Sequence, residues 1–121
     1  MSRAATSILV FGVYVMIMGV LLLAIPNVLL ALVGYATTNE VWIRVLGVVT
    51  LSLGYYYVVA GRNEVTSFFK ASLFARPSLI VFFAVFVAAG IAEPVLIAFG
   101  VIDLLAAVWT ALALRFPRKQ E

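Results

Sequence analysis

An all-α polytopic membrane protein with four transmembrane helices is the fold class this sequence predicts, and three observations carry the prediction. Of 121 residues, 66% are hydrophobic and 11% charged, where an ordinary soluble domain carries about 25% charge. The apolar residues fall into four runs, each near the roughly 20 residues needed to cross about 30 Å of hydrocarbon. The cations gather at the ends of those runs, the distribution that orients helices in a bilayer. A water-soluble chain this short has too much surface for its volume to hide so much apolar side chain.

The first run covers about 4–25 and stops at Pro26, which has no backbone N–H to donate. It is too long for the apolar region of a signal peptide and lacks a small-residue cleavage site, so it reads as a retained anchor. Residues 28–34 are apolar but too short to cross; they either extend the first span past a proline kink or, the preferred reading, form a short turn of helix at the interface, with Tyr35 at headgroup depth in both cases. Residues 36–39, ATTN, read as a loop in which Thr38 or Asn39 caps the next helix and Glu40 occupies its first turn.

The second run covers about 41–60, with Gly61 at its C-terminal stop and Arg62, Asn63 and Glu64 in a polar turn. In the segment 65–76, Val65, Phe68, Phe69 and Leu73 share one helical face. That pattern predicts a short amphipathic helix on the membrane surface. Pro77 then starts or kinks the third span, about 77–92, and Glu93-Pro94 makes a tight connection. The fourth span covers 94–115 and leads to Arg118 and Lys119. The expected architecture is a single membrane-embedded domain over 1–121, an antiparallel four-helix bundle plus the interfacial helix.

If the N-terminus is assigned to one side, Arg3, Arg62, Lys70, Arg76, Arg115, Arg118 and Lys119 share that side and Arg44 alone takes the other. The connecting loops are short enough for the positive-inside rule, so both termini are expected in the cytoplasm. The sequence holds no cysteine and no histidine. This removes disulfides, thiolate nucleophiles, Ser-His-Asp chemistry, imidazole-ligated haem and ordinary zinc sites. No metal, no cofactor and no catalytic residue is expected. The net charge of +3 follows topology and not nucleic acid.

Gly47, Gly54 and Gly61 recur every seven residues, as do Gly12 and Gly19. Two helical turns separate each pair, so both series form smooth stripes along which the first two spans can approach closely. On the fourth span, Asp103, Ala106, Ala107 and Thr110 share one face, which should turn inward while Leu104, Leu105, Leu112 and Leu114 turn toward lipid.

Asp103 lies mid-span, where an ionised acid costs about 2.5–3.5 kcal/mol on insertion scales. Counting helical rise puts Asp103 about 13 Å and Arg44 about 6 Å below the same surface. Arg44 is therefore the expected partner, Glu93 competes from the rim, and Arg76 enters from the opposite side and is less well placed. Tyr14, Thr110, Thr50, Ser52 and Asn27 are further candidates for the lining. Three readings stay open: a polar pocket that binds a ligand, an ion pair that only fixes helix register, and a protonated Asp103 that donates to a carbonyl.

The segments WIRVLGVVTLSLGYYYVVAGRN (42–63) and GVIDLLAAVWTALALR (100–115) resemble the small DoxX-like four-span membrane proteins of bacteria, in the Arg-x-x-Gly opening of the second span and the Asp in the fourth. The resemblance implies a four-helix membrane bundle with Arg44, Gly47 and Asp103 as a shared polar core. Some members of that family are small subunits linked to quinone-coupled oxidoreductases; the missing cysteine departs from members assigned redox chemistry. The expected function is binding or transport of a small or lipid-like ligand near Asp103 and Arg44, by a bundle embedded in the lipid bilayer, as a homodimer or with a partner membrane protein. The alternative is a non-catalytic accessory subunit. An enzyme ranks last, because no nucleophile stands beside a base.

Overall fold

The computed structural model describes residues 1–116 and contains five α-helices among them: α1 (Arg3–Ala24), α2 (Pro26–Leu32), α3 (Val41–Arg62), α4 (Thr66–Ala88) and α5 (Val95–Arg115). Arg118, Lys119 and Glu121 lie outside the described residues. Helices α1, α3, α4 and α5 are each 21 to 23 residues long and apolar enough to cross a membrane. Their large apolar side chains face outward: Trp42, Phe74, Val81 and Leu105 are exposed, as lipid-facing residues must be. These features are those of an integral membrane protein.

Capping chemistry sets the helix ends. Ser2 opens α1, its hydroxyl accepting from Ala5 N–H at 3.0 Å. Pro26 opens α2 as its first residue. Before α3 the hydroxyl of Thr38 accepts from Glu40 N–H at 3.1 Å, and Glu40 precedes the helix instead of standing in its first turn. Helices α2 and α4 stop where Gly34 and Gly90 take positive φ. In each case the N–H after the glycine reaches back to the carbonyl five residues earlier, Tyr35 to Leu30 and Ile91 to Phe86.

Three sequence expectations are corrected here. The third long helix begins at Thr66, not Pro77, so 65–76 is no separate surface helix. Pro77 lies inside the helix, where its missing N–H frees the carbonyl of Leu73 four residues back; on the same turns Ser72 O accepts from Arg76 Nε at 3.4 Å and Ala75 O from Ser78 Oγ at 2.6 Å. The enclosed stripe of this segment is Phe69, Ser72 and Arg76, one residue pattern away from the apolar face read from the sequence. The helix also ends at Ala88 and not near 92, because Gly90 turns the chain first. Finally, α3 passes through Gly61, and the residue that turns left-handed behind it is Glu64, at φ 53°.

The chain divides into two compact units, 9–59 and a second made of Met1–Ile8 with the chain from Ala60 onward. In the first unit α1 and α3 run in opposite directions, since Gly12 meets Gly54 and Gly19 meets Gly47. In the second, α4 and α5 pack together as a hairpin closed by the short connection after Gly90. A side chain at Gly100 would lie 2.9 Å from Ile80 Cα, so the two helices touch there at backbone distance.

Candidate functional site

The site belongs to the unit that contains α4 and α5, and register explains how it assembles. Gly100 sits against Ile80. In an antiparallel hairpin each step back along α4 matches a step forward along α5. Arg76, four residues before Ile80, therefore stands level with Leu104, beside Asp103. Helical rise puts Arg76 about 15 Å along α4 from Thr66, well inside the span.

Arg76 is 2% exposed. Its Nη2 donates to Ser72 Oγ at 3.0 Å and its Nε to Ser72 O at 3.4 Å. Ser72 in turn donates its hydroxyl to Phe69 O at 2.7 Å, and Phe69 is itself buried. One turn of α4 thus fixes the guanidinium by two contacts, using the fork that arginine supplies and lysine lacks. The positive charge acting on the Asp103 carboxylate is that of Arg76. Asp103 is half-buried, unlike its partner. A buried cation inside a lipid-facing helix is costly, and Asp103 is the acid that stands at its level on α5.

Below Asp103 the inward face of α5 continues through Ala107, Thr110 and Ala113, all buried. Thr110 is fully enclosed and its hydroxyl meets Ser7 Oγ at 2.7 Å. Each hydroxyl also lies near a carbonyl of its own helix, Ala4 O at 2.7 Å from Ser7 and Ala106 O at 3.2 Å from Thr110. The pair fastens the first turns of α1 to α5 by a dry polar contact.

The remaining sequence candidates stand elsewhere. Arg44 is exposed, and its Nη1 donates to the carbonyl of Leu23 at the end of α1. Arg76, which depth counting placed on the wrong side of the problem, is the residue beside Asp103. Glu93 is exposed in the connection before α5. Tyr14 is half-buried in the other unit, its ring 5.8 Å from Phe11. Asn27 accepts from Thr38 N–H at 2.8 Å, a loop-holding role, and Ser52 is exposed.

Ser7 and Ser72 carry polar contacts that sequence reasoning passed over. Ser72 and Arg76 are four residues apart, hence neighbours on one helical face, but only if helix is assumed to run on through Pro77. Ser7 gave a weaker signal, one hydroxyl among small residues of an apolar run.

Near the membrane surface, the Glu64 carboxylate accepts from Ser2 N–H at 2.6 Å and from Ser2 Oγ–H at 2.7 Å. The backbone bond first, then the hydroxyl bond, hold its pKa below the ordinary value of 4.5. This ties the turn between α3 and α4 to the cap of α1. Among the described residues no group of three or more His, Cys, Asp or Glu could hold a metal ion.

The chain matches no protein-family model, no curated protein and no solved structure.

Proposed function

We propose that this protein binds, and in doing so can carry across the membrane, a small or lipid-like ligand at the Asp103 carboxylate. The observation that carries the proposal is an asymmetry within one charged pair: Arg76 is enclosed and anchored by Ser72, while Asp103 stays half-open. A pair that served only to fix register would gain most from closing both partners away from lipid and water. Leaving the acid partly uncovered at mid-span is costly without a use, and polar residues at that depth are by default functional.

In this proposal α1, α3, α4 and α5 form an antiparallel four-span bundle in a bacterial inner membrane. Both termini face the cytoplasm, with Arg3, Arg62, Lys70 and Arg115 at the cytoplasmic ends. The layout, with Arg44 and Gly47 opening the second span and Asp103 in the last, supports kinship with the DoxX-like proteins. An accessory role would call for a glycine-bearing face open to a partner. Gly12, Gly19, Gly47 and Gly54 are instead filled by contacts between α1 and α3, so nothing specific favours that reading.

The test is extraction. Protein purified gently from its host membrane, without delipidation, should release a co-purifying amphiphile detectable by mass spectrometry. The charge-balanced double variant Arg76→Met with Asp103→Leu should release none while keeping its thermal unfolding midpoint. Identical extracts from both proteins would defeat the proposal.

A further inference from the structure

We infer that the molecule taken at Asp103 is an uncharged amphiphile bearing a single hydroxyl, such as a long-chain alcohol, phenol or diacylglycerol. It donates its O–H to the carboxylate and lays its apolar body along α4 and α5. This rests on the ligand-binding proposal and adds the chemical class.

The class follows from three features. Arg76 is enclosed and already engaged with Ser72, so an arriving molecule meets the half-open carboxylate. An ionised carboxylate only accepts hydrogen bonds; the ligand must therefore donate. Charge then selects among donors. Arg76 and Asp103 compensate one another, and uncompensated charge is what the hydrocarbon penalises. An ammonium headgroup would bring a second cation beside Arg76, and an anionic headgroup would face the carboxylate's own charge. A hydroxyl supplies the hydrogen and leaves the sum at zero.

The walls select the body. One turn to either side of Asp103 on α5 stand Phe99 and Ala106, both half-buried, and across on α4 lie Pro77 and Ile80, also half-buried. None of the four side chains offers a polar atom. Beyond them Phe74 and Val81 are exposed, which continues the apolar surface outward. A single-donor head on a hydrocarbon body matches this arrangement, and a polyhydroxylated or zwitterionic head does not.

The full-length protein, held in lauryldimethylamine oxide because that detergent has no hydroxyl, can be titrated with dodecanol, dodecyl methyl ether and dodecylamine. Native mass spectrometry then reads occupancy. Dodecanol should be retained about tenfold more tightly than either analogue, the range expected when a hydrogen bond to a charged group is made or lost. The preference should disappear in the Arg76→Met, Asp103→Leu double variant, whose unfolding midpoint serves as the control for folding. If ether and alcohol are retained equally by the wild type and both are lost from the double variant, the hydroxyl class is wrong and the site stands. Tighter retention of the amine has the same meaning. If all three probes bind the double variant as they bind the wild type, the ligand-binding proposal falls as well.

Discussion

Within 9–59, α1 and α3 meet backbone to backbone at Gly12, Gly19, Gly47 and Gly54, where even a methyl group would collide with the opposite chain. The unit containing α4 and α5 makes such a contact at Gly100 on Ile80, and beside apolar residues such as Ile8 and Phe69 it also buries Arg76, Ser72, Ser7 and Thr110. Lipid tails are as apolar as leucine, so neither helix pair gains from hydrophobic burial in the usual way. One uses close approach and dispersion, the other polar contacts that have no better partner in hydrocarbon. The first solution is chemically silent. The second leaves reactive groups inside the membrane, which is why function is sought there.

Charge removal should give the largest effect. Arg76→Leu strands the Asp103 carboxylate without its cation, and breaking a buried pair this way costs about 3–5 kcal/mol. Because Asp103 is half-open, the lower end, about 3 kcal/mol, is expected. Adding Asp103→Leu should recover most of the loss in steric-trap or denaturant unfolding in micelles. If the double variant were as unstable as the single, Arg76 would matter for packing and not for charge.

Gly19→Ala tests the other unit. Its new Cβ would stand 2.7 Å from Leu51 Cα and 2.9 Å from Gly47 O, and backbone cannot yield as a side-chain tip can. Overpacking of this kind costs about 1–3 kcal/mol. Gly34→Ala is the contrast: open space surrounds it, and only its φ of 84° opposes a side chain. A harmless Gly19→Ala would show that close approach contributes little to joining α1 and α3.

The two units also differed in how well the sequence disclosed them. A seven-residue glycine spacing needs no knowledge of helix ends, and it singles out four glycines at which α1 and α3 meet. The polar site depends on where α4 starts. With Pro77 taken as a helix start, Arg76 sat at a surface and Ser72 faced nothing. Once α4 runs from Thr66, the same two residues lie inside the span, with Arg76 beside Asp103 and Ser72 one turn earlier on the helix. Proline is a frequent stop in soluble helices, but here the helix runs on through it from Thr66 to Ala88. The inward face of α5 was legible because Asp103, Ala106, Ala107 and Thr110 obey simple periodicity, and Ala107 and Thr110 are buried. Arg44 was read as the partner from depth alone, and depth counts say nothing of acceptors such as Leu23 O, to which it donates.

A smaller effect separates the hydroxyl pair. Ser7→Ala and Thr110→Val each leave the other hydroxyl a carbonyl of its own helix. A double-mutant cycle should therefore give a coupling of about 0.6 kcal/mol, the mean for such contacts between membrane helices. Zero coupling would reduce the 2.7 Å contact to coincidence and leave α1 held to α5 by packing alone.

The smallest expected effect lies at the surface, where Glu64 accepts two bonds from Ser2 while its backbone holds φ 53°. The folded state lowers the carboxyl's pKa from 4.5, so the unfolded chain binds the proton more readily. The stabilisation is then complete above about pH 4.5 and is lost as pH falls through the lower folded value. Exposure to solvent keeps it small. Between wild type and Glu64→Gln an unfolding-midpoint difference of about one to two degrees is expected at neutral pH, closing as the solution is acidified toward pH 3. Glu64→Gly separates backbone from carboxylate. It deletes both Ser2 bonds, where glutamine keeps one accepting oxygen, and relieves the left-handed conformation; a midpoint above that of Glu64→Gln makes the backbone the larger contribution, and one below it the bonds. Were wild type and Glu64→Gln to unfold together throughout, the negative charge of Glu64 would add nothing to its bonds with Ser2.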